Sequence, residues 1–125
     1  GDQFDAEIAA IFSEEATELL EAADAALAAF RAEPGDEEKV TELKRVLHTL
    51  KGGARMAGVT AMGDLAHEVE SVLIQTAATR TSGEPRTLEV LQASLDELHR
   101  MRETVGAGRP VAPARDLVTR IRSLY

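Results

Sequence analysis

Leu47-His48-Thr49-Leu50-Lys51-Gly52-Gly53-Ala54-Arg55-Met56-Ala57-Gly58 forms the second half of a stretch whose apolar residues recur every three or four positions: Val40, Leu43, Val46, Leu47, Leu50, Ala54 and Ala57. That period belongs to an amphipathic helix. Asp36, followed by Glu37 and Glu38, suits an N-cap with acidic residues in the first turn, and Gly58 stands where a left-handed C-terminal cap is wanted. With His48 at zero on a wheel of about 100° per residue, Val46, Leu50 and Ala57 fall near the opposite side. Lys44, Arg45, Lys51, Gly52 and Arg55 share the histidine's side. The helix is therefore expected to bury its leucines and turn His48 outward.

Before this helix, Ile8, Ile11, Phe12, Leu19, Leu20, Ala23, Leu27 and Phe30 mark another amphipathic run, broken by Pro34 and Gly35. Ser13 followed by Glu14 and Glu15 predicts a helix start inside it, hence a short lead helix running into a long one. After it, Thr60 is expected to cap a helix carrying Met62, Leu65, Val69, Val72, Leu73 and Thr76, which gives way to the turn Thr81-Ser82-Gly83-Glu84-Pro85. Leu88, Leu91, Leu95, Leu98, Met101 and Val105 predict a returning helix, and Leu117, Val118, Ile121 and Leu124 a terminal one. Short connections favour antiparallel neighbours. The expected fold is all-α: an antiparallel up-down four-helix bundle with an additional C-terminal helix. The chain is read as a single domain over residues 1–125, with the bundle at about 4–105, a flexible linker at about 106–113 and the last helix at about 114–125.

Composition supports this and narrows the function. The 125 residues suffice for one core without metal or disulfide staples, and aromatic residues make up only 3%. Cysteine is absent, which excludes a disulfide framework or thiolate cluster. Fourteen Lys and Arg against twenty-two Asp and Glu give a net charge of -8, which opposes nucleic acid and anionic lipid as partners. With no leader-like segment and no apolar run of roughly 20 residues, a cytoplasmic domain away from the membrane is expected.

An exposed imidazole one turn from Lys51 offers a nucleophile beside positive charge. Imidazole attacks when neutral, its ordinary pKa near about 6.5 keeps much of it so, and the ammonium can balance the charge of a transferring phosphoryl group. Gly52 and Gly53 each cost a helix interior about 0.5–1 kcal/mol. Gly52, beyond the histidine on its open flank, leaves room for a phosphoryl group and a partner's loops; Gly53 is assigned to close helix packing. On the following helix His67 and Glu70 are neighbours displaced from the core stripe. They are placed to meet His48, with Glu70 accepting the Nδ1 proton and fixing the tautomer that leaves the Nε2 lone pair free.

His48-x-x-Lys51-Gly52-Gly53-Ala54, closed by Gly58 and followed by His67 and Glu70, resembles the signature of histidine-containing phosphotransfer (HPt) domains. It is similar in particular to the N-terminal phosphotransfer domain of chemotaxis-type and pilus-motility histidine kinases. The resemblance implies that His48 is phosphorylated by a histidine-kinase ATP-binding domain, in the same or another chain, or by a receiver aspartate, and passes the group to a response regulator. It implies supporting roles for Lys51, Gly52 and Glu70, places His67 at a further polar position, and suggests a piece of a larger kinase. The domain alone is expected to be a monomeric carrier and no enzyme. It is expected to need no cofactor of its own, ATP and Mg²⁺ being used by the partner, because no Gly-x-x-x-x-Gly-Lys-Ser/Thr loop is present.

Plainer assignments compete. Lys44, Arg45 and Arg55 are read as solvated polar face, His99 as an isolated surface residue, and Met56, Met62 and Met101 as packing or gap-filling. A metal site from His48, His67 and Glu70 is the alternative function, together with a purely structural interaction bundle. The metal reading lacks the paired Glu-x-x-His motifs of dimetal bundles.

Overall fold

The structure, a computed structural model, describes residues 4–125; residues 1–3 of the expected domain lie outside the described residues. Five helices follow one another: α1 (Ala6–Ala32), α2 (Glu37–Met56), α3 (Thr60–Ala78), α4 (Pro85–Gly106) and α5 (Arg115–Arg122). α2 packs against α1 and α3, α4 against α1 and α3, and α5 lies across α3 and α4. Side-chain pairs fix the directions. Asp24 meets His99 and Ser13 meets Arg102 between α1 and α4, and Lys51 meets Glu70 while Arg55 abuts Gly63 between α2 and α3, so each of these two pairs runs antiparallel. The all-α bundle with a fifth, C-terminal helix is as expected.

Leu43, Val46, Leu47 and Leu50 are wholly buried and fix the rotation of α2 about its axis. Each such side chain contributes about 1.5–3 kcal/mol by leaving water, so rolling α2 to bury His48 would be costly. Asp36 caps α2 by accepting from the Glu38 amide, and Gly58 takes the left-handed conformation (φ 79°) that ends the helix.

Several expectations are corrected. α1 is one helix through Ser13, which is buried; Asp5 is its cap, accepting from the amides of Glu7 and Ile8. Ile8 and Ile11, expected in the core stripe, are exposed, because α1 buries the small residues Ala9, Ala16, Ala23 and Ala26 between its larger ones. The α3 N-cap is Val59, with Thr60 already helical. Met56, expected to pack, is 89% exposed on the last turn of α2. His99 is not isolated, since its Nε2 lies 2.8 Å from Asp24 Oδ2. α5 ends at Arg122, and Val111, within the expected linker, is buried.

Three helices close with the same two backbone hydrogen bonds. Val59 and Gly58 donate to Ala54 and Arg55, Thr81 and Arg80 to Thr76 and Ala77, and Arg109 and Gly108 to Thr104 and Val105. This is the Schellman pattern, whose left-handed residue is usually glycine. Gly58 and Gly108 obey that rule; at the end of α3 the position is Arg80, with φ 59°. A side chain there costs roughly 1–2 kcal/mol.

Candidate functional site

His48 stands in mid-α2 with 67% of its side chain exposed, turned outward by the leucines behind it. Glu70 reaches it from α3, its Oε2 lying 2.9 Å from His48 Nδ1. Lys51, one turn beyond His48, donates from Nζ to the other carboxylate oxygen, Oε1, at 2.5 Å. Both partners are largely shielded, with 14% of the Lys51 side chain and 15% of the Glu70 side chain exposed.

Burial pushes the Glu70 carboxyl up. The hydrogen bonds from Lys51 and His48, with their charges, outweigh it and hold the group below the ordinary carboxylate range. An ionised carboxylate only accepts, so the ring nitrogen facing it must carry the proton. His48 Nδ1–H therefore donates to Glu70, and in the neutral ring the lone pair resides on Nε2.

The space over Gly52 is open: a Cβ built there meets nothing within 4 Å. Gly53 is the reverse, since a Cβ would come within 3.1 Å of Cε1 of Phe12 on α1. The two adjacent glycines thus face a free flank and a helix contact. Gly63 on α3 gives a third close approach, its absent Cβ leaving room for the Arg55 stem, whose Cγ would otherwise lie 2.9 Å away.

Of the sequence candidates, His48, Lys51 and Glu70 are brought together by hydrogen bonds. His67 is exposed on α3 and makes no hydrogen bond to His48 or Glu70. Among the described residues no group of three or more His, Cys, Asp or Glu stands close enough to hold a metal ion, so His48, His67 and Glu70 do not converge as the alternative reading required. No helix among the described residues is long and apolar enough to cross a membrane. Sequence reasoning missed the exposed Ile8, Ile11 and Met56, which leave apolar side chains on the ends of α1 and α2 that Phe12 and Gly53 join.

Comparison with known proteins gives consistent matches. The family profile described as Hpt domain matches residues 7–103. A chemotaxis protein CheA of Treponema pallidum is 30% identical over 113 residues, covering 90% of this chain and 14% of that protein. A gliding motility regulatory protein of Myxococcus xanthus is 34% identical over 85 residues, 68% of this chain and 11% of its own length. The chain thus spans a small fraction of these relatives. Among solved structures, the phosphorylated P1 domain of CheA3 in complex with CheY6, from R. sphaeroides, superposes with a TM-score of 0.80 at 27% identity, covering 96% of each chain.

Proposed function

We propose a mechanism from the premise that this chain belongs to the Hpt domain family. Membership makes it a phosphotransfer domain of chemotaxis-type two-component signalling, a carrier of phosphohistidine and not a self-sufficient kinase. The observation that carries the residue assignment is the His48 Nδ1–Glu70 hydrogen bond, which leaves Nε2 as the nucleophilic nitrogen on an exposed ring.

Nε2 attacks the phosphorus of ATP held by a kinase domain, or of a receiver's aspartyl phosphate. The new N–P bond forms as the bond to ADP or to the aspartate oxygen breaks, and that oxygen leaves with the electron pair. The imidazole becomes positively charged with its proton still on Nδ1, where Glu70 steadies it. Attack by a receiver aspartate on the same phosphorus reverses the step and returns neutral His48. Lys51 holds Glu70 in place and sets positive charge beside the transferring oxygens. Gly52 keeps the approach open.

The partners in this reading are a histidine-kinase ATP-binding domain, in the same polypeptide or another, and a response regulator, all in the cytoplasm. The domain acts as a monomer and needs no cofactor of its own, the kinase and receiver supplying ATP and Mg²⁺. The small share of the curated relatives that it spans favours a place within a larger kinase.

The test is labelling. Kinase domain and ATP, or a phosphorylated receiver, should leave one acid-labile, alkali-stable phosphoryl group that His48→Gln abolishes. Label retained in that variant, or found on Ser or Thr, would refute the assignment.

A further inference from the structure

The end of the bundle where the α1–α2 and α3–α4 connections meet holds a cleft of about 580 Å³, lined by Pro34 and Gly83 from the two turns and by Lys44 and Arg80. Neither Lys44 nor Arg80 has a carboxylate partner among the described residues, and the lining contains a single acid, Glu37. On a chain of net charge -8, two unpaired cations facing one cleft are a local reversal of sign.

Arg80 is also out of place. The three Schellman caps share one hydrogen-bond pattern, yet two have glycine in the left-handed position and the third, at this cleft, has arginine. Glycine would make the same cap hydrogen bonds with less strain, so the cap itself does not call for an arginine.

The cleft and the phosphorylation site lie on one flank. Lys44 precedes His48 by one turn on the same face of α2, about 6 Å along the axis. A protein contact of ordinary size covers about 800 Å² on each side, a patch roughly 30 Å across, so a partner seated on His48 extends over Lys44 and the cleft beyond it.

We propose that this cleft is a second docking point for the receiver domain, in which Lys44 and Arg80 take an acidic loop of the receiver while its aspartate engages His48. The inference rests on the phosphotransfer reading of His48. The occupant is the receiver because the similar P1 domain was solved in complex with CheY6. Charges at such a distance from the reacting atoms act on encounter and register, not on the chemical step.

The experiment uses phosphorylated chain and the receiver that takes its label fastest, with receiver concentration and salt varied. Lys44→Ala combined with Arg80→Gly should raise the apparent KM for the receiver about tenfold at low salt, flatten its salt dependence and leave the limiting rate unchanged. Arg80→Gly alone should melt no lower than wild type, separating docking from folding. Arg109→Ala, an exposed cation on another turn, should behave as wild type. An unchanged KM and salt slope in the double variant, a fall in the limiting rate instead, or weakened labelling by the kinase with normal transfer to the receiver would each overturn the proposal. Failure of His48 to take any label would instead bring down the underlying phosphotransfer reading.

Discussion

The ammonium of Lys51 lies 2.5 Å from Oε1 of Glu70, so the cation one turn from His48 is already engaged by a carboxylate in the resting domain. Lys51 therefore has two effects that one substitution separates. Lys51→Ala should slow transfer on the order of tenfold, by removing positive charge near the transferring oxygens, with the label still on His48. It should also let the Glu70 carboxyl rise, since one of the interactions holding it down is gone. Single-turnover transfer and carbon-13 titration of the Glu70 carboxyl measure the two. A wild-type rate would remove Lys51 from the reaction, and an unmoved Glu70 would deny the contact.

Stability should depend on acid through the same carboxylate. Its folded pKa lies below the unfolded one, so its ionised form binds better in the native state than in the unfolded chain. The contribution is complete above the unfolded value of about 4.3 and is lost as pH falls through the lower folded value. Denaturant unfolding of wild type and Glu70→Gln should show the wild type ahead at pH 7, with the gap closing below about pH 4. A gap that widens on acidification would contradict the direction.

Adjacent glycines should respond oppositely to the same side chain. Gly52→Leu points into open space and gains helix propensity, so melting should hold or rise by the equivalent of about 0.5–1 kcal/mol while transfer slows through obstruction of His48. Gly53→Leu drives against Phe12 and should cost about 1–3 kcal/mol by overpacking. Equal effects on stability would show that the two flanks are not distinguished as described.

The fifth helix is expected to matter to folding and not to chemistry. Ile121 is fully buried, and Ile121→Ala should cost about 2–5 kcal/mol. At a temperature where the variant is folded, labelling of His48 should match wild type, because α5 lies against α3 and α4 and not against α2. Loss of labelling in the folded variant would assign α5 a part in the site.

Much of this arrangement was legible in the sequence because the helical period carries it. The leucines of α2 fixed which way His48 faces, and Glu70 sat one turn from His67, off the core stripe of the next helix. The same period misled at Ile8 and Ile11, since a stripe drawn from large residues overlooks the alanines that α1 buries instead. Serine reads as a cap wherever acids follow it, although Ser13 lies inside α1 and is covered by it. Contacts between distant positions leave no local trace: Asp24 with His99, and Arg122 with Glu68 at 2.6 Å, join residues that no spacing rule connects. Nor does a lysine's spacing reveal where its flexible stem leads. Its spacing aims Lys51 at the phosphoryl group, whereas at rest it bonds Glu70. Arg80 was invisible because nothing in its type announces a left-handed backbone.

Removing Glu70 should be visible in the resting protein before any phosphate arrives. The carboxylate accepts from His48 Nδ1 at 2.9 Å and so selects the tautomer with its proton there. Glu70→Ala takes away the acceptor and leaves the exposed ring to water. Nitrogen-15 NMR of the imidazole should then move from a protonated Nδ1 and bare Nε2 toward the Nε2–H form that free histidine favours. In the proposed mechanism Nε2 attacks, so the reactive fraction shrinks and the positive charge that develops on the ring loses its neighbour. Transfer should slow on the order of 10- to 100-fold, the usual cost of losing a group that orients another. It should not stop, because the nucleophile remains and a minority tautomer still reacts. Glu70→Gln separates the two contributions: its amide oxygen can accept from Nδ1–H without the negative charge, so the tautomer should largely return while the rate recovers only in part. If Glu70→Ala matches wild type in both tautomer and rate, the carboxylate is merely a partner for Lys51, and the orientation of His48 must come from solvent.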